Sequence, residues 1–239
     1  MKGFSVNLND YQCKELFQGV SDYRTFIKVK LKLLEYLLTF WHGNTTVKPP
    51  YLYVDDQNLH RAFLVNQDGH KIISIGFQFA IKTDLYGLSD DNNRITHLNL
   101  LGENGSVTLR NISEANTILA NLPERGSGLY YEANIEEPIQ DDSFRLFEYL
   151  LFSEPGYVRY DDDIQGYKPY IHPRYHFDVN FMPNISYKFG LKAKICLEDI
   201  IQALDKRKTC PMIDLFPKES VVQNFKRSQG RKSTKRYRI

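Results

Sequence analysis

The sequence predicts an α+β fold: a mostly antiparallel sheet with helices packed on one face, ending in a disordered basic C-terminal tail. Three observations predict it. Turn signals of the hairpin kind, Asp68-Gly69 and Asn104-Gly105, separate apolar runs, and no regular strand–helix–strand alternation appears. Two late runs, 171–181 and 187–195, alternate apolar and polar side chains with period two, as half-buried strands do. Aromatic residues that suit a pleated surface are abundant, with 16 Tyr and 15 Phe. Residues 1–225 read as one domain, long enough to bury a core without disulfides, and 226–239 as a separate tail.

Residues 10–18 and 22–41 form an N-terminal helical pair, 10–41. In the second helix Phe26, Val29, Leu33, Leu34, Leu37 and Phe40 recur at three- and four-residue spacing, and the Val29, Leu33, Leu37 and Phe40 stripe is expected to pack. Gly43-Asn44 stops it and Pro49-Pro50 blocks re-entry. Residues 51–54 and 59–66 look extended, and Asp68-Gly69 turns the chain into a long β run, 71–82. A second hairpin, 95–101 with 106–110, follows, and Ser113 is placed to cap a short helix over 114–121. Beyond Pro123 and Gly126–Gly128 come a strand at 129–135 and a helix at 143–152 with Phe144, Phe147, Leu150 and Leu151 on one face. Strands at 157–161, 170–181 and 187–195 and a helix at 198–206 complete the series.

The net charge of +2 hides an asymmetry. Lys226, Arg227, Arg231, Lys232, Lys235, Arg236 and Arg238 stand in the tail without an acid, leaving residues 1–225 mildly acidic. Such a segment cannot bury enough apolar surface to fold alone. Three cysteines with no CxxC spacing exclude zinc-ribbon and thioredoxin readings and fit a reducing compartment. The first residues carry no apolar leader pattern, and no 18-residue apolar run occurs. A cytoplasmic protein that does not span a membrane is therefore expected. Gly126-Ser127-Gly128 lacks the lysine of a phosphate-binding loop, and paired acids such as Asp55-Asp56 read as turn and cap residues.

The chemical interest is concentrated between Arg159 and Lys194. On a strand over 171–181, Ile171, Tyr175, Phe177, Val179 and Phe181 share one face, and His172, Arg174, His176, Asp178 and Asn180 share the other. In the run that follows, Lys188, Lys192 and Lys194 oppose Tyr187, Phe189, Leu191, Ala193 and Ile195. Arg159, Asp161 and Asp163 lie on one side of the strand before. If the three strands are neighbours, one face is apolar and covered by helices, and the other carries the histidines, acids and bases. Residues i and i+4 of a strand are too far apart to clasp one metal, so a metal site needs one histidine plus acids from a neighbouring strand. A solvated face of cross-strand ion pairs, a catalytic or metal site, and an anion or nucleic-acid surface all fit this pattern.

The segment also resembles a poorly characterised bacterial family catalogued as a domain of unknown function. The likeness rests on Arg159-Tyr160-Asp161-Asp162-Asp163, then His172-Pro173-Arg174-Tyr175-His176, then the β run to Ile195 and the helix from Glu198, over roughly residues 156–206. Asp178 and the basic tail depart from that pattern. The resemblance implies a bacterial cytoplasmic protein from a mobile or defence-related locus and carries no catalytic role with it.

Two function classes follow. In the first, the protein acts on nucleic acid as a metal-assisted nuclease or phosphodiesterase. Asp161, Asp163 and Asp178 would hold a divalent metal, and His172 or His176 would act as general base or acid. Arg159, Arg174 and Lys192, with Arg231, Lys232, Lys235 and Arg236 of the tail, would hold phosphate oxygens. In the second, the protein is a non-catalytic binding or regulatory module that docks a protein partner through the polar sheet face.

Overall fold

The structure, a computed structural model of the chain, describes residues 3–40, 47–84, 94–102, 105–122, 139–168, 171–182 and 184–209. Its elements run β1 (Phe4–Asn7), α1 (Asp10–Leu16), α2 (Tyr23–Phe40), β2 (Tyr51–Asp55), β3 (Arg61–Val65), β4 (Lys71–Gly76), β5 (Phe79–Asp84), β6 (Arg94–Leu100), β7 (Ser106–Val107), α3 (Leu109–Ala120), α4 (Asp141–Phe152), β8 (Val158–Asp162), β9 (Tyr175–Val179), β10 (Tyr187–Leu191) and α5 (Leu197–Leu204). The fold is α+β. A seven-stranded antiparallel sheet has the order β1-β2-β3-β4-β8-β9-β10, and β5-β6-β7 form a small second sheet. None of the described helices is long and apolar enough to cross a membrane. The chain divides into two compact units, Met1–Ile200 and Ile201–Ile239. In the second, the described residues include Asp205, whose carboxylate accepts from the backbone and side chain of Arg207. The expected boundary after residue 225 lies outside the described residues, as do the basic tail and the strand expected at 129–135.

Local chemistry explains the helix starts. Asn9 and Gln12 cap α1 reciprocally, and Thr108 and Asn111 do the same for α3. The Asp22 carboxylate accepts from the Thr25 N–H at 2.8 Å at the start of α2. Helix α2 buries most of its circumference against α1, α3, α4 and β6: Phe26, Val29, Leu33 and Leu37 on one stripe, but also Ile27, Leu31 and Leu34. Each such side chain contributes roughly 1.5–3 kcal/mol by leaving water. Lys30 is buried among them, donating to Gln78 Oε1 at 3.2 Å and Ser153 Oγ at 2.9 Å, and burial pulls its pKa down to about 8.

Cross-strand registers define one row across the whole large sheet. Val6, Leu52, Leu64, Ile73, Arg159, Asp178 and Lys188 are successive partners from β1 to β10. Directly paired residues face the same side of a sheet. The first four of the row belong to the core that includes α2, and the last three are charged. Ile72, Tyr160, Phe177 and Phe189 form the adjacent row and face the other side, where the Tyr160 hydroxyl accepts from the Ile195 N–H.

Several expectations are corrected. The charged side chains of β8–β10 do not oppose the helix-covered face; they continue it, because β8 pairs with β4 in the register that sets Arg159 beside Ile73. The run 71–82 divides: Gly76 N–H bonds Pro155 O and Phe77 N–H bonds His60 O, so the chain leaves the large sheet and β5 joins the small one. The second strand of that hairpin ends at Val107 rather than at residue 110, and α3 starts at Leu109 with Thr108 as its cap, so the cap is not Ser113. Phe40 is 46% exposed, since the buried stripe runs out at the last residue of α2. Strand β9 spans only five residues of the expected 170–181, and β10 ends at Leu191. Asn180 has φ +63°, which breaks the alternation, and Phe181 stacks on Phe26 of α2 at 4.8 Å instead of following Phe177. Strand β1 is an addition to the expected elements, although Phe4, Val6 and Leu8 alternate with polar residues.

Candidate functional site

Three central strands bring the polar side chains together. Asp161 of β8 stands opposite His176 of β9, and Arg159 opposite Asp178, which stands opposite Lys188 of β10. Arg159 Nε donates to Asp161 Oδ2 at 2.6 Å, and a terminal guanidinium nitrogen donates to Asp178 Oδ2. Lys188 Nζ lies 3.0 Å from Asp178 Oδ1. Burial works against the Arg159 charge, but Asp161, Tyr157 and Asp178 outweigh it and hold its proton more firmly than usual.

His176 is the centre of this group. Its side chain is 1% exposed, whereas Asp178 is 18% and Arg159 29% exposed, so the cluster opens to solvent on the arginine side. Nδ1 lies 2.7 Å from the Pro173 carbonyl and can only donate to it, which leaves Nε2 with the lone pair when the ring is neutral. Among the described residues Nε2 has no hydrogen-bond partner. It faces Asp161 Oδ2 at 3.6 Å and Asp178 Oδ2 at 3.7 Å, and one ligand atom from each of the three residues falls within 4.8 Å of the others. Ligands on one divalent ion, each about 2.0–2.2 Å from it, stand about 3–4 Å apart. The two carboxylates and the imidazole thus have the donor chemistry and nearly the spacing of a three-ligand centre, and the Pro173 carbonyl is the kind of outer contact that fixes a ligating histidine's tautomer.

Glycines make room for this arrangement. Gly190 lies opposite His176, and a Cβ there would meet Pro173 Cγ at 2.8 Å; its absence lets Pro173 lie against β10 with its carbonyl at the imidazole. A Cβ on Gly166 would meet Asp163 Oδ2 at 2.3 Å. The Gly166 N–H instead bonds Asp163 Oδ1 at 2.7 Å, and Asp163 Oδ2 meets His172 Nε2 at 2.9 Å. The backbone bond from Gly166, with help from His172, holds the Asp163 carboxyl below its usual range. His172 stands edge-on to His176, ring centroids 4.7 Å apart, with Nδ1 3.5 Å from Lys188 Nζ.

The expected site residues therefore separate. His172, His176, Arg159, Asp161 and Asp178 come together, with Asp163 attached through His172 rather than facing the other two acids. Arg174 goes elsewhere. It precedes β9, where strand alternation no longer governs direction, and its Nε donates to Asp162 Oδ1 at 2.7 Å while its guanidinium lies over the Tyr175 ring. That bond is the main cause holding the Asp162 carboxyl below its usual range. Lys192 follows the end of β10 and is exposed. Arg231, Lys232, Lys235 and Arg236 lie outside the described residues. Sequence reasoning missed two contributors: Lys188, whose parity on its strand marked the face, and the Pro173 carbonyl, for which sequence holds no signal.

Comparison of the chain with protein-family models, curated proteins and solved structures finds no match.

Proposed function

We propose that this protein is a divalent-metal-assisted phosphodiesterase acting on nucleic acid, with Asp161, His176 and Asp178 holding the ion. The observation that carries the reading is the bare Nε2 of His176, buried and aimed between two carboxylates. Burying a polar nitrogen without a partner costs about 1–3 kcal/mol, and a ligand there removes that cost. The ion would supply a bound water of lowered pKa and charge stabilisation at phosphate. His172, oriented by Asp163, is the general acid or base beside it. Lys188 and Arg159 hold phosphate oxygens, and the basic residues 226–239 add sequence-independent affinity.

A second reading has its own observation. Arg159 already bridges the two carboxylates, so with Lys188 the charges balance, as they would in an ion-paired face of a non-catalytic module that docks a protein partner.

Purified full-length protein incubated with Mn2+ and either duplex DNA or single-stranded RNA separates the two. Cleavage that needs the metal and is lost in a folded His176→Ala protein supports the enzyme; no cleavage under any of these conditions supports the module. Deleting 226–239 should weaken binding and flatten its salt dependence, by about 0.9 in log–log slope for each duplex phosphate that the tail neutralises.

A further inference from the structure

We infer that Arg159 is the resident cation of this centre and that a divalent ion enters by exchanging with it. The inference rests on the reading of Asp161, His176 and Asp178 as a metal centre. What decides it is which oxygens are shared. His176 Nε2 faces Oδ2 of Asp161 and Oδ2 of Asp178. Those same two oxygens are the ones that Arg159 holds, through Nε and a terminal nitrogen. An ion that touches Nε2 and both Oδ2 atoms would therefore lie against the guanidinium, where like charges repel strongly in a half-buried site. Lys188 is not placed to compete in this way, because it pairs with the other oxygen of Asp178, Oδ1, at 3.0 Å.

Charge balance leads to the same exchange. Around His176 Nε2 itself, Asp161 and Asp178 are matched by Arg159 and Lys188, while Asp163 stands apart on His172. A divalent ion added without exchange leaves two surplus positive charges; one that releases the guanidinium to solvent lowers that local surplus. The resident arginine also has a purpose in the empty centre, since two half-buried carboxylates without a counter-charge are strongly destabilising. Arg159 is able to leave: its side chain is 29% exposed and lies at the open side of the cluster. Once released, its fork is free to take phosphate oxygens bidentately. Metal and phosphate then bind cooperatively, each raising the affinity for the other by the same factor.

The test is Mn2+ binding to the full chain by calorimetry, with and without inorganic phosphate. Arg159→Gln should bind Mn2+ about two- to fivefold more tightly than the wild type, the factor supplied by losing a competing, partly exposed ion pair. Phosphate should tighten Mn2+ binding more in the wild type than in Arg159→Gln, where Lys188 alone is left to hold it. A folded Arg159→Gln protein that binds Mn2+ no more tightly than the wild type overturns the exchange and leaves the metal centre standing. Mn2+ bound by neither protein, or bound equally well after His176→Gln, removes the metal centre itself. Should Arg159→Gln fail to fold, the wild type decides alone. In protein labelled with 15N-arginine and titrated with Zn2+, the Arg159 Nε–H resonance should move from a protected to a solvent-exchanging environment as the ion binds. A resonance unchanged at saturation overturns the inference.

Discussion

Leu64 and Asp178 stand in one row on one face of the same sheet, three strands apart. Leu64 has core beneath it, including α2 and its neighbours, and is fully buried. Asp178 is 18% exposed and is surrounded by Arg159, Lys188 and His176. The backbone ladder is antiparallel in both halves, so the difference comes from what covers them. Where helices lie on the sheet, the row is apolar and its contribution scales with area and volume. Where the cover thins towards solvent, the row turns to charges held in half-water, whose contribution depends on geometry and salt. The two halves should therefore respond to opposite perturbations.

The largest effect is expected at Leu64→Ala. Removing a fully buried leucine should cost about 3–4 kcal/mol, within the range for such cavities. The loss should be the same in 0.05 M and 1 M salt and from pH 6 to 8. Urea denaturation at each condition measures it, and a strong salt dependence would break the division between the halves.

Lys30 is a charged intruder in the apolar half, and it sharpens the contrast. Its partners Gln78 and Ser153 are neutral, so neither offsets the loss of water with a counter-charge, and its pKa falls from 10.5 to about 8. Between those values the unfolded chain binds more protons than the folded one, so stability rises with pH across that window. Below it the cost is fully present. Lys30→Met should flatten the rise between pH 8 and 10 and raise stability at pH 7 by about 1–3 kcal/mol. Urea midpoints at pH 7 and pH 9.5 in both proteins test this. A variant as sensitive to pH as the parent would place the rise elsewhere.

One half of the row is easier to read from sequence than its place in the sheet. Alternation in 175–179 and 187–191 puts His176 with Asp178, and Lys188 opposite Phe189, because period two is a local property of a strand. What no local pattern holds is the pairing of β8 with β4, some 85 residues earlier, which turns an expected separate polar face into an extension of the core face. Alternation also misleads beyond strand ends. Arg174 and Phe181 follow the parity of β9 on paper, but one precedes the strand and the other follows Asn180 in a left-handed conformation. The capping box at Thr108 is present in the sequence but hard to see, because Asn111 in place of Glu hides the usual signature. The tautomer of His176 depends on a backbone carbonyl and has no sequence signal at all.

In the charged half, Asp178→Ala should cost about 1–2 kcal/mol, less than the leucine. Arg159 keeps Asp161 as a partner, and Lys188 can turn to water. Unlike the leucine, this loss should shrink at 1 M salt. Double-mutant cycles of Asp178→Ala with Arg159→Gln, measured by urea denaturation at both salt concentrations, isolate the pair term. A coupling near zero would mean that the row is charged but not held together by its charges.

The smallest effect is expected at the end of the row. Lys188 lies on β10, the last strand of the sheet, and its side chain is 27% exposed. Its ion pair to Asp178 Oδ1 should be worth about 0.5 kcal/mol, and Lys188→Ala should cost no more than that. The value is near the limit of denaturation experiments, so the salt series carries the test. In 1 M salt, where the Debye length falls to about 3 Å, Lys188→Ala and the parent should become indistinguishable, while the deficit of Leu64→Ala stays whole. A Lys188→Ala deficit that survives high salt would mean that the lysine stem, packed along β10, matters more than its charge. The boundary between the halves would then lie beyond β9 and not between β4 and β8.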